Sequence, residues 1–97
     1  MSYNLDDKVV QKLKNFFQQF DFIDKIVLFG SRAKNTNNPK SDIDLCIFSK
    51  TMDKNEFSKL RLEIDELPIL YHIDIVHFQS VDNELKDNIL KDGKLLI

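Results

Sequence analysis

The stretch that decides the fold runs Lys25-Ile26-Val27-Leu28-Phe29-Gly30-Ser31-Arg32-Ala33-Lys34 and resumes at Ser41-Asp42-Ile43-Asp44-Leu45-Cys46-Ile47-Phe48. From Ile26 to Phe29 it is continuously apolar and rich in β-branched and aromatic side chains, which predicts a buried strand. Gly30 breaks that strand, and Ser31 can cap the short helical turn over residues 31–34. A strand that ends in Gly and opens a helix leaves backbone N–H groups pointing forward. Their partial positive charge receives phosphate oxygens. Gly30 lets a phosphate approach the backbone because it has no Cβ, and the Ser31 hydroxyl adds a donor. Read by itself, the Gly-Ser pair is equally an ordinary strand-to-helix turn.

Asn35-Thr36-Asn37-Asn38-Pro39 is a turn cluster, and Pro39 prevents the helix from continuing. In the second apolar run, Ile43 to Phe48, side chains alternate across the strand. Asp42 and Asp44 therefore share one face, with Cα atoms roughly 6–7 Å apart. Ile43, Leu45 and Ile47 point the other way, into a core. Two carboxylates at the head of a hydrophobic strand repel each other unless a cation lies between them. Oxygen-only ligands select a hard ion, Mg²⁺ or Mn²⁺. A third acid, Asp74, is embedded in His72-Ile73-Asp74-Ile75-Val76-His77-Phe78, which again reads as a strand. If that strand lies beside the second, Asp74 joins the pair, and three carboxylates can hold two divalent ions about 3.5–4 Å apart.

Phe29-Gly30-Ser31-Arg32-Ala33, the spacer, Lys40-Ser41-Asp42-Ile43-Asp44-Leu45 and the later Asp74 together resemble the nucleotidyltransferase superfamily typified by polymerase-beta-like palms. More narrowly, the chain resembles a minimal nucleotidyltransferase of the antitoxin type, which pairs with HEPN-domain toxins. The closing Ile89-Leu90-Lys91-Asp92-Gly93 and its apolar tail extend the likeness. One position departs: Asn35 stands where the family places Gly. Asn tolerates left-handed backbone angles better than most residues, so the turn can survive.

The expected reaction moves a nucleoside monophosphate from a triphosphate to a hydroxyl. Gly30 and Ser31 would hold the β- and γ-phosphates. Asp42, Asp44 and Asp74 would be both catalytic and metal-ligating, Asp74 also accepting the attacking hydroxyl's proton. Arg32, Lys34 and Lys40 flank this site, and Arg32 and Lys40 are the candidates for meeting the triphosphate. Lys34 reads better as a solvated charge. The resemblance implies ATP as donor, two Mg²⁺ ions and a tyrosine of the partner toxin as acceptor. Two rival readings stand beside it. One is a catalytically silent antitoxin that neutralises its toxin by binding. The other is a transferase acting on a small, aminoglycoside-like molecule.

Composition bounds these readings. Ninety-seven residues, 42% hydrophobic and 31% charged, make a single globular α/β domain over residues 1–97. A net charge of −2 and a pI near 5.6 argue against direct nucleic-acid binding. Eight Phe and no Trp predict an aromatic-rich core. The single Cys46 reads as a packing residue in a reducing, cytoplasmic compartment. No stretch approaches the roughly 20 apolar residues of a membrane span. Larger nucleotidyltransferases use extra domains to hold their acceptors, so an acceptor protein that brings its own surface suits a chain this short. Leu95-Leu96-Ile97 is a candidate docking tail.

Helices fill the intervals. Asn4 can cap a first helix carrying Leu5, Val9, Leu13, Phe16 and Phe20. Asp53-x-x-Glu56 resembles a capping box opening a helix with Phe57, Leu60, Ile64 and Leu67 inward, ended by Pro68. Ser80 or Asp82 can start a last helix that closes near Gly93. The expected order is α-β-α-β-α-β-α around a small mixed sheet. His72 and His77 fall on opposite faces of one strand, so they cannot share an ion and read as packing or surface residues.

Overall fold

A computed structural model describes residues 5–34 and 42–97. Its elements are α1 (Asp7–Phe17), β1 (Lys25–Phe29), α2 (Ser31–Lys34), β2 (Ile43–Phe48), α3 (Lys54–Ile64), β3 (Ile73–His77), a 3₁₀ turn (Phe78–Ser80), α4 (Asn83–Asp92) and β4 (Lys94–Leu95). The expected helix–strand alternation is built, with the 3₁₀ turn and β4 added to it.

Local chemistry sets the helix starts. The Asp6 side chain accepts a hydrogen bond from the Lys8 N–H and caps α1. The cap expected at Asn4 lies outside the described residues. At α3 the capping box forms: Asp53 accepts from the Glu56 N–H at 2.8 Å, and Glu56 accepts from the Asp53 N–H at 3.0 Å. Asp82 caps α4 by accepting from the Leu85 N–H, while Ser80 ends the 3₁₀ turn instead. Helix α3 stops at Ile64, short of Pro68, yet Leu67 still packs against the core from the turn beyond it.

The strands pair in the order β3-β2-β1-β4. β1 pairs antiparallel with both β2 and β4, and β2 pairs parallel with β3. The parallel pair needs a crossover, which α3 supplies. One sheet face carries Ile26, Leu28, Ile43, Leu45, Ile47, Ile73 and Ile75 against Val10, Leu13, Phe16 and Phe17 of α1 and Leu60 and Ile64 of α3. The other face gathers a smaller cluster, Val27, Cys46 and Ile89, joined by Phe29, Phe48, Val76 and Leu85. Burial pushes the Cys46 thiol up to about 12, consistent with a packing role.

The C-terminal segment differs from its expected docking role. Leu96 is buried, its N–H donates to the Ile26 carbonyl at 2.8 Å, and Ile97 packs against the main core. Only Leu95 of the three is exposed. The tail extends the sheet because the edge of β1 offers unpaired backbone groups. Gly93 caps α4 with φ −67°, so its need for glycine comes from crowding: a Cβ would lie 2.3 Å from the Ile89 carbonyl oxygen.

Candidate active site

Register brings the acids together. Asp44 of β2 stands opposite Phe29 on β1 and opposite Asp74 on β3. The end of β1, with Gly30 just beyond it, Asp44 and Asp74 thus form one row across three neighbouring strands. Asp42 precedes Asp44 by two residues and takes the same side of the chain. Asp44 is half-buried, whereas Asp42 and Asp74 are exposed.

Their proximity has an electrostatic consequence. Desolvation raises the Asp44 carboxyl above its ordinary value, and the charges of Asp74 and then Asp42 raise it further. His72 pulls the other way, more weakly than any of these. Like charges on a half-buried carboxylate make a site that gains stability from a divalent cation, and three carboxylates are the donor set that Mg²⁺ accepts. Among the described residues, no three such side chains already close on a common point.

Gly30 has φ +75°, a backbone region that side chains disfavour. A Cβ there would sit 2.5 Å from Asp44 Oδ2. Glycine is therefore required by the neighbouring carboxylate, a contact that lies fourteen positions away in the chain. The Gly30 carbonyl accepts from the N–H groups of Ala33 and Lys34, which starts α2.

The flanking cations divide. Arg32 is buried, its guanidinium 4.6 Å from the centre of the Tyr71 ring. This contact ties α2 to the residues before β3, and only the three-dimensional arrangement reveals it. Lys34 pairs with Asp92 at 3.7 Å, consistent with a surface charge. Lys40 and Asn35 lie outside the described residues. His77 shares a hydrogen bond of 3.0 Å with the Ser49 carbonyl and stacks on Phe57, while His72 is exposed near the acids.

A cleft of about 690 Å³ opens between α3 and the far end of β3, lined by Phe57, Arg61, Ile75, His77 and Val81 among others. It contains none of the three carboxylates. Chemistry rather than volume identifies the site.

The model for the polymerase beta nucleotidyltransferase family matches residues 11–97. The chain belongs to that family. Among solved structures, it resembles a toxin–antitoxin with AMP-PNP (TM-score 0.75, 23% identity, covering 91% of this chain and 72% of the other). It also resembles a mutant of the toxin–antitoxin MntA–HpeT (TM-score 0.69, 24% identity, 96% and 72% covered). A third likeness is to a tri-AMPylated Shewanella oneidensis HEPN toxin in complex with MNT antitoxin (TM-score 0.62, 22% identity, 94% and 67% covered). At these identities the likeness is one of fold. Among curated proteins none matches the chain. No described helix is long and apolar enough to cross a membrane.

Proposed function

We propose that this nucleotidyltransferase-family protein moves AMP from ATP to a tyrosine hydroxyl of a partner HEPN toxin and so acts as its antitoxin. The observation that carries this reading is the Asp44–Asp74 register beside Gly30, which sets two carboxylates side by side at the end of a phosphate-sized turn. Family membership supports the reaction class. A fold neighbour that contains AMP-PNP supports the donor, and one that pairs an AMPylated HEPN toxin with an MNT antitoxin supports the partner.

In this reading the Gly30 and Ser31 backbone holds the β- and γ-phosphates, and Arg32 and Lys40 are the cations that meet the triphosphate. Asp42, Asp44 and Asp74 would hold Mg²⁺, which would supply positive charge to offset that developing on the phosphate oxygens. Asp74 accepts the proton of the tyrosine hydroxyl. The tyrosine oxygen then bonds to the α-phosphorus as the bond to the α–β bridging oxygen breaks, and pyrophosphate leaves. A reducing cytoplasm, where Cys46 stays a free thiol, suits the pairing.

The test is the intact mass of the partner toxin after co-expression with the wild type and with Asp42→Asn/Asp44→Asn. The expected result is one or more added AMP units with the wild type alone. A toxin silenced by both forms without added mass would replace catalysis with neutralisation by binding.

A further inference from the structure

The Tyr71–His72 segment is where three parts of the site meet. The Arg32 guanidinium lies 4.6 Å from the centre of the Tyr71 ring. The carbonyl of the next residue, His72, accepts from the Ile43 N–H at 2.9 Å, and Ile43 stands between Asp42 and Asp44. Two positions after His72, Asp74 takes its place opposite Asp44. One short stretch thus touches the helical turn behind Gly30, starts the parallel pairing with β2 and leads into the third carboxylate. Tyr71 itself is half-buried and packs against the main core, which gives its ring a fixed seat.

Arg32 needs such a partner. It is only 4% exposed, and a guanidinium withdrawn from water to that extent needs neighbours that compensate its lost hydration. An aromatic face is one such neighbour, and the attraction strengthens where water is excluded. Stacking engages the face of the planar guanidinium. Its five N–H donors lie in the plane, the direction in which an Arg meets phosphate oxygens. Enclosure also means that the side chain is set by the fold before a ligand arrives, which spares the ligand the cost of ordering it. Helix α2 has four residues, held at their start by the Gly30 carbonyl, which accepts from the Ala33 and Lys34 N–H groups. So short a helix has little stability of its own, and the ring contact ties it to the residues that open β3.

We infer that Tyr71 is a positioning residue of the nucleotide site: its ring holds the Arg32 guanidinium in the orientation that meets the triphosphate, and so fixes the turn after Gly30 relative to the strand that carries Asp74. Tyr71 acts through Arg32 and touches neither nucleotide nor metal in this role. This role rests on the transferase reading above, which supplies ATP as the ligand.

The test is the dissociation constant of ATP in the presence of Mg²⁺, measured by calorimetry. The proteins are the wild type, Tyr71→Phe, Tyr71→Leu, Arg32→Met, the double variant Arg32→Met/Tyr71→Leu and, as a control, Leu70→Ala. Both replacements of the half-buried Tyr71 are apolar, and Leu70 is fully exposed at 102%, so these three single variants keep the fold. Tyr71→Leu is expected to weaken binding about tenfold, the scale of a desolvated cation–π contact. Tyr71→Phe keeps the aromatic face and is expected to stay within about twofold of the wild type, as is Leu70→Ala. Arg32→Met weakens binding further, and adding Tyr71→Leu to it changes little, because a residue that acts through Arg32 then has nothing to act on. Equal losses in Tyr71→Phe and Tyr71→Leu, unchanged binding in Tyr71→Leu, or additive losses in the double variant overturn the assignment. The first two of these comparisons hold even if Arg32→Met does not fold. Transfer of AMP to the partner toxin, measured beside binding, separates the two readings. A wild type that binds ATP without transferring it overturns the transferase reading and leaves Tyr71 to be judged on binding, whereas a wild type that binds no ATP overturns both.

Discussion

The two faces of β2 are built for different purposes. Ile43, Leu45 and Ile47 are wholly buried under α1 and α3, and nothing on that face is charged. The opposite face changes character along its length. At its far end Phe48 stacks on Phe78 at 4.4 Å, with Lys25 over Phe48 and Lys86 over Phe78, and Cys46 packs against Ile89 of α4. At its near end stand Asp42 and Asp44. Helix α4 joins the Val27–Cys46 cluster, leaving the acids of β2 and β3 at the other end. One face thus stabilises the sheet so that part of the other can hold groups that repel each other.

Removing a main-core side chain should cost the most. Leu45→Ala is expected to lower stability by about 2–5 kcal/mol, and Cys46→Ala, on the other face, by roughly 1 kcal/mol. Chemical denaturation of both variants measures the contrast, and equal losses would mean that the two faces contribute alike. Gly30→Ala comes next. A side chain at φ +75° costs about 1–2 kcal/mol, and displacing the Asp44 carboxylate should lower transfer about a hundredfold. Denaturation and a transfer assay separate these two effects.

Asp44→Asn should act in the opposite sense on stability. The carboxyl of Asp44 is raised in the fold above its ordinary 3.8, so the folded protein holds that proton more tightly than the unfolded chain does. Its charge costs stability in full above the raised value, and the cost vanishes below 3.8. Asp44→Asn should therefore melt at a higher temperature than the wild type near pH 7 without metal, and the gain should disappear at acid pH. Added Mg²⁺ should narrow the gap by stabilising the wild type. A variant that melts lower at neutral pH would show that Asp44 has a stabilising partner. The smallest effect is expected at Cys46. A thiol raised to about 12 stays protonated, so an alkylating reagent at pH 8 should label it only after unfolding.

Much of this was legible in the residues because it depends on neighbours in the chain. The capping box at Asp53 and Glu56, the buried strand before Gly30 and the shared side of Asp42 and Asp44 follow from fixed local periods. Legibility fell wherever a partner was distant in sequence. Leu96 looked like a free tail because Ile26, whose carbonyl it binds on the edge of β1, lies about seventy positions earlier. The contact between Arg32 and Tyr71 was hidden in the same way, because the two lie about forty positions apart in the chain.

The sequence by itself determined that two carboxylates head a buried strand just after a glycine turn, since alternation of side chains needs no tertiary contact. Only the tertiary structure decided that Asp74 stands beside Asp44 and that Gly30 leaves room for that carboxylate. Strand order and register are settled by which apolar faces can be buried together, a property of the whole core rather than of any segment.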